Sequence, residues 1–267
     1  MFKSTLLLWV LLLISVLSYA QGMKIGDVLI ISHPTLNKDV GPDTFQAFVT
    51  KEMLPALNKQ NPGISFDLFK GDRGKQKGQF ILAGSTKKIH PPKGSNAKSP
   101  FILTANGSKN LGDFISNPEA FTEYQLIGAD KIQALPNSGI LGIHSIQVKK
   151  DRSKEFEKFV VEKLHPAVSQ LFPDMQLLYY KATAGENTGS YITIFTIDSP
   201  AARDKYWPGG ASETEDLKKT FKPLEGLAKE LSTYLVEGSY LEPSSGGAAG
   251  YWESKVWTDF IHTRYIN

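Results

Sequence analysis

The feature that most constrains this chain is a repeat. Slid against itself by 111 residues, "FVTKEMLPALNKQNPG" at 48–63 lies over "FVVEKLHPAVSQLFPD" at 159–174. The register needs no gap from His33 on His144 to Ile81 on Ile192. On the way it places Phe45 on Phe156, Pro55 on Pro166, Pro62 on Pro173, and Gly74 and Gly78 on Gly185 and Gly189. A shift of 110 then brings Tyr124 and Gly128 onto Tyr234 and Gly238. A series that keeps apolar phase, turn glycines and prolines together is an internal duplication.

Each copy spells the same order of elements. "DVLIISHPTLN" and "GILGIHSIQVKK" are rich in branched apolar residues and read as first strands. Phe45, Phe48, Val49, Met53, Ala56 and Leu57, like Phe156, Phe159, Val160, Leu164, Ala167 and Val168, fall on one helical stripe. "NPG" and "FPD" stop that helix. Second and third strands follow through the hairpins "DRGKQKG" and "TAGENTG". A second helix is expected near Lys109–Thr122, where it is weak, and at Ser212–Thr233, where it is stronger. "YQLIGADKI" and "YLVEGSYLE" read as last strands.

The order β-α-β-β-α-β, twice, is the ferredoxin-like motif. Strands such as "YITIFTI" are apolar on both faces, so helices can cover only one of them. Two copies closing their sheets on each other cover the second. The expected fold is α+β, with two tandem ferredoxin-like units forming one pseudo-dimeric α/β barrel.

The ends complete the organisation. "MFKSTLLLWVLLLISVLSYAQG" has a positive start at Lys3, an apolar run over Leu6–Leu17 and small residues before Gln21. That run suits a secretory signal peptide and is short for a membrane span. The expected layout is a signal peptide at 1–20, repeats at 24–135 and 136–242, and a linker with an aromatic tail docking on the body at 243–267. The chain is expected to be exported, periplasmic or extracellular, with no membrane anchor once the signal is cleaved. It has no cysteine, so neither a lipidated cysteine nor a disulfide holds it.

Without Lys3 the basic residues number 29 against 27 acidic ones, which implies no polyanionic partner. Eight Lys and Arg side chains lie between Lys70 and Lys98 against the single acid Asp72. No aromatic residues alternate with them as a nucleic-acid platform requires, so they read as a solvated face.

The paired units resemble the dimeric α/β-barrel superfamily, here fused in one chain. The phrase Phe156-x-x-Phe159-Val160 with His165-Pro166, followed by "FPD", is similar to its EthD and NIPSNAP-like branches. The first copy departs from it, with Leu54 in place of His165. The resemblance implies a fold shared by small monooxygenases, haem-handling enzymes and proteins of no known activity.

Three histidines are candidates for chemistry. His33 and His144 match in the two first strands, so a symmetric pair lining one cavity is expected to supply a base, a hydrogen-bonding group or a ligand. The competing reading is a pair of hydrogen-bonded structural histidines. His165 belongs to the shared phrase, but on a straight helix it points away from the apolar stripe unless Pro166 redirects it. Tyr206 and Trp207, before a Pro-Gly-Gly turn, are candidate ligand-binding residues at a barrel mouth.

No metal-ligand spacing, phosphate loop, nucleophile elbow or dinucleotide glycine pattern occurs. Haem would need one of the five histidines, and the Gly-x-x-Asp-Gly phrase of the duplicated dye-decolourising peroxidases is absent, so no cofactor is expected. Three functions stay open. One is an exported binder of a small apolar or aromatic molecule in a barrel cavity. Another is a cofactor-independent monooxygenase-like oxidoreductase or isomerase, and the third is an interaction module with a closed barrel.

Overall fold

The computed structural model describes residues 27–87, 99–103, 110–128, 139–172, 175–207, 219–236 and 257–266. Eight strands close into one antiparallel barrel. They are β1 (Val28–Ser32), β2 (Ser65–Gly74), β3 (Phe80–Thr86), β4 (Thr122–Gly128), β5 (Ile140–Ile146), β6 (Gln176–Gly185), β7 (Tyr191–Ile197) and β8 (Trp257–His262). Around the barrel the order is β1-β3-β2-β8-β5-β7-β6-β4, with β4 returning to β1. Each half is a four-stranded ferredoxin-like sheet: β4-β1-β3-β2 in the first and β8-β5-β7-β6 in the second. The chain is folded as a dimeric α/β barrel built from one polypeptide.

The helix layer lies outside. In the first half α1 (Pro42–Phe48) runs through a π turn (Val49–Met53) into α2 (Leu54–Gln60). In the second, α3 (Ser153–Phe159) runs through a π turn (Val160–Leu164) into α4 (His165–Leu171). The cause is the matched prolines. Pro55 and Pro166 lack an N–H and their rings crowd the carbonyl four residues back, so the helix widens by one residue just before each. Leu54 N–H accordingly reaches back five residues to Val49, and His165 N–H to Val160. The apolar stripes predicted from the sequence are buried in both copies, except that Ala56 and Ala167 are only half-buried.

Two expectations change. The first copy's second helix reduces, among the described residues, to a 3-10 turn at Leu111–Asp113. Its Gly, Asn and Pro content disfavours a longer helix. In the second copy α6 (Glu225–Tyr234) is present, but Tyr234 ends it and Leu235 makes only an isolated bridge to Val148. The fourth strand of that half is β8, from the aromatic tail, seated between β2 and β5. The tail expected to dock on the body is a barrel strand. The signal segment, residues 88–98 of the lysine-rich stretch, the Pro-Gly-Gly turn, residues 237–242 of the expected last strand and Trp252 lie outside the described residues.

Side chains alternate between the barrel interior and the helix layer. Fourteen buried residues fill the interior, among them Leu29, Ile31, Phe69, Tyr180, Ile194 and Phe260. The middle of the barrel is therefore occupied by its own side chains. Two further clusters join each half's outer face to its helices.

Candidate functional site

The register separates the two matched histidines. Ile31 pairs with Ala83 and Ile143 with Ile194. Ala83 and Ile194 are 111 apart, whereas Ile31 and Ile143 are 112 apart. Both first-strand residues face the interior. The loop from first strand to helix is thus one residue shorter in the second copy, since the helices match at 111 again. One residue along a strand reverses the face. His33 continues the inward side of β1, while His144 points outward into the helix layer. The structural partner of His33 is Ser145, and that of His144 is Ser32. The expected symmetric pair in one cavity does not form.

His144 belongs instead to a polar row across three strands. It pairs with Thr193 of β7, which pairs with Tyr179 of β6. All three face outward and are buried. Burial alone lowers the His144 pKa to about 3, so its imidazole is neutral. The Thr193 hydroxyl is buried with no hydrogen-bond partner among the described residues. In the next row Gly142 pairs with Asp259 of β8, whose carboxylate oxygen lies 3.0 Å from where a Cβ on Gly142 would stand. A Cβ there would crowd the carboxylate, which would have to give by a few tenths of an ångström.

Asp259 accepts from Arg203 Nη1 at 3.3 Å, and both side chains are 4% exposed. The same nitrogen donates to Asp72 Oδ2 at 2.7 Å. Arg203 lies on α5 (Pro200–Tyr206), whose N-terminus is capped by Ser199 Oγ accepting from Ala202 N–H. At the other end of α5, Trp207 is buried against Phe195 and Tyr206. Phe172 and Phe221 extend this aromatic wall, which reaches the surface at the partly exposed Tyr206 and Phe221. Tyr206 and Trp207 therefore stand over the helix-covered face, on the same face as the polar row.

The first half supplies an internal control. The positions matching His144, Thr193, Tyr179 and Asp259 hold Ser32, Leu82, Leu68 and Glu123. A duplicated scaffold folds with Leu at two of these sites, so their polarity in the second half is not needed for folding. Comparing the copies position by position would have found Thr193 and Tyr179. Arg203 and Asp259 are brought together only by the tail strand, which the repeat hides.

Two further described histidines, His165 and His262, are committed to structure. His165 turns toward the sheet because the π turn rotates it. Its Nδ1 donates to the Leu177 carbonyl at 3.1 Å, and Nε2 lies 3.4 Å from the Ser169 hydroxyl. The solvent-facing direction of a straight helix is corrected. His262 accepts at Nδ1 from Arg264 N–H, so Nε2 carries the proton and donates to Asp67 Oδ1 at 3.0 Å. Neither ring has a nitrogen left for a ligand. His33 is exposed at a barrel end, its ring edge-on to Phe260 at 6.4 Å.

Fold and site together define a fused α/β barrel with one polar half. No protein-family model and no curated protein sequence matches the chain. Among solved structures it resembles a monooxygenase-like protein from Listeria innocua, with 15% identity and a TM-score of 0.39 over 91% of this chain and 96% of that one. An anthrone oxidase-like protein matches with 10% identity and a TM-score of 0.45, over 88% and 90%. A heme-degrading enzyme from Listeria monocytogenes matches with 12% identity and a TM-score of 0.38, over 88% and 99%.

Proposed function

We propose that this protein handles a small aromatic molecule between the sheet and helices of its second half, without a dedicated cofactor. The observation that carries the reading is the row His144–Thr193–Tyr179, polar where the first half is Ser-Leu-Leu. Burying an unpartnered hydroxyl costs free energy, and a fold that departs from its own internal copy marks a place of use. The neutral His144 is suited to accept or donate a hydrogen bond to a polar group of such a molecule. Trp207 and Tyr206 offer the flat apolar surface an aromatic ring needs.

Haem suits the described residues poorly. Both nitrogens of His165 and His262 are engaged and His144 lies fully buried under the helices, which leaves His33 as the one exposed imidazole among the described histidines. The N-terminal segment supports export of a chain beginning at Gln21, testable by mass spectrometry of the exported fraction. A closed barrel acting as an interaction module is the second reading, favoured by the fourteen side chains that fill the interior.

The test is Thr193→Val, which matches the side chain in shape and removes the orphaned hydroxyl. Binding of 1-naphthol to the mature protein is followed by tryptophan fluorescence. If the hydroxyl serves a ligand, the variant is as stable or more stable yet binds at least about 5-fold more weakly, one hydrogen bond's worth. Saturable binding unchanged in the variant, or no binding to wild type, overturns the reading.

A further inference from the structure

We propose that the barrel end opposite His33 binds a small organic cation, an ammonium group on a hydrocarbon body, with Asp67 as the residue that receives the charge. The proposal is independent of the inter-layer reading, because Asp67 faces into the barrel while the His144 row faces the helices.

Strands β1, β2, β5 and β6 begin at this end, and β3, β4, β7 and β8 finish there. Asp67 pairs with Ala83 and His262 with Phe69, and both partners belong to the interior cluster, so both side chains point inward. Solvent reaches this layer from several sides. Ser65 and Asp67 of β2, Leu126 of β4, Gln176 of β6 and His262 of β8 are inward-facing yet partly exposed. One step deeper, Phe69, Tyr124, Tyr180 and Phe260 are buried and close the barrel. The end is a shallow recess floored by aromatic rings.

Asp67 carries a charge there that nothing balances. Its side chain is 14% exposed. Oδ1 accepts from His262 Nε2 at 3.0 Å, while Oδ2 is enclosed and accepts no hydrogen bond among the described residues. The imidazole takes a hydrogen bond from Arg264 N–H at Nδ1, so it is neutral and steadies the carboxylate without cancelling its charge. No lysine or arginine among the described residues pairs with Asp67. A carboxylate so far withdrawn from water is stabilised by a cation.

The other half again serves as a control. Asp67 lies over Leu178 in the repeat, and Leu126 pairs with Tyr180 as His262 pairs with Phe69. Where one half has an acid and a histidine, the other has two leucines. The barrel layer therefore forms without the polar pair, and the acid marks a place of use.

The surroundings define the occupant. At the described strand ends here, Asp27 and Asp198 are acidic, Lys87 and Arg264 are basic, and all four are exposed. Arg264 is turned onto the Tyr265 ring. With Asp67, three acids against two bases leave the recess negative. No group of three His, Asp or Glu side chains gathers among the described residues to hold a metal ion. A single carboxylate above aromatic rings suits an ammonium instead. Leu126, across the recess, gives apolar contact to the hydrocarbon body. The terminal torsion of an aspartate is soft, so Oδ2 can swing toward the opening while Oδ1 keeps His262.

The test uses the mature protein with nitrogen-15-labelled histidine and benzylammonium as probe, with benzyl alcohol as the uncharged comparison of similar shape. Benzylammonium is expected to shift the His262 ring resonances saturably, and benzyl alcohol to bind at least about 10-fold more weakly. Asp67→Asn keeps the volume and an acceptor for His262, and is expected to lower benzylammonium affinity at least about 10-fold. Resonances unmoved by millimolar benzylammonium overturn the site. Equal binding of benzyl alcohol overturns the assignment of a cation, and undiminished binding by Asp67→Asn overturns the role of Asp67. Thr193→Val is expected to leave benzylammonium binding in place, so this proposal and the inter-layer reading fail separately.

Discussion

Arg73 at the end of β2, in the first half, donates through Nη1 to the carbonyl oxygen of Trp207 in the second, at 3.2 Å. Its other terminal nitrogen holds Asp204 at 3.0 Å. The first half thus fixes the C-terminal end of the helix that carries the second half's aromatic wall. Arg203 reaches the opposite way, to Asp72 of β2 and to Asp259 of β8. The two arginines interlock the halves at the seam that the tail strand closes.

Arg203→Met is expected to destabilise the protein by about 3–5 kcal/mol, because it takes the buried Arg203 guanidinium away from the buried Asp259 carboxylate. Adding Asp259→Leu removes the stranded charge and should recover most of that loss. Urea unfolding of both variants checks the pair, and a double variant no better than the single one would show that the ion pair itself is not what is lost.

Arg73→Ala tests the seam at its exposed side. Asp204 is 46% exposed at its side chain, so solvent screens the pair and its removal should cost under about 1 kcal/mol. The Trp207 carbonyl nonetheless loses its tether. A changed tryptophan emission with nearly unchanged stability is the expected outcome. Arg73→Lys should behave like Arg73→Ala, since an ammonium cannot reproduce the two-pronged contact.

These contacts also show what the sequence could and could not reveal. The duplication, the strand and helix order and the buried stripes were legible because they rest on periodicity and turn chemistry, which are local. The pairing of His33 with His144 looked sound because an ungapped match spanned both. It failed because a single residue lost from the following loop reverses a strand's faces while leaving helix matches intact. Pairing the chain's last strand with "YLVEGSYLE" failed for a different reason. Tail residues after a long linker displaced it, and nothing local in Trp257–His262 announces a place between β2 and β5. The direction of His165 hung on Pro166, and the π turn before that proline adds the residue that a straight-helix count omits.

Phe260→Ala distinguishes a barrel strand from a docked tail. The Phe260 ring is 1% exposed among interior side chains contributed by several strands. Its truncation should cost about 3–5 kcal/mol, the range for a large side chain removed from a packed core. A loss below about 1 kcal/mol in thermal or urea unfolding would mean that the tail is peripheral.

His144 gives the fold an acid sensitivity of known sign. Its pKa is about 3 in the folded chain, down from the ordinary imidazole value of 6.5, because burial penalises the imidazolium. Above the unfolded value neither state holds the proton, and stability is whole. As pH falls below 6.5 the unfolded chain takes up a proton that the folded chain refuses, so stability declines until about pH 3. At pH 5 the loss is about 2 kcal/mol relative to pH 8. His33, solvent-exposed at the barrel end yet partly desolvated by neighbouring protein atoms, is lowered too and adds to the slope with the same sign. Glu157 and Glu230, whose pKa values lie below the usual carboxylate value, begin to contribute only in more acid solution. Urea unfolding of wild type and His144→Leu at pH 8 and pH 5 isolates the effect. The variant, whatever its stability at pH 8, should lose about 2 kcal/mol less on acidification than wild type. Equal losses in the two proteins would mean that His144 is already protonated or solvated in the fold, and the buried polar row would have to be abandoned.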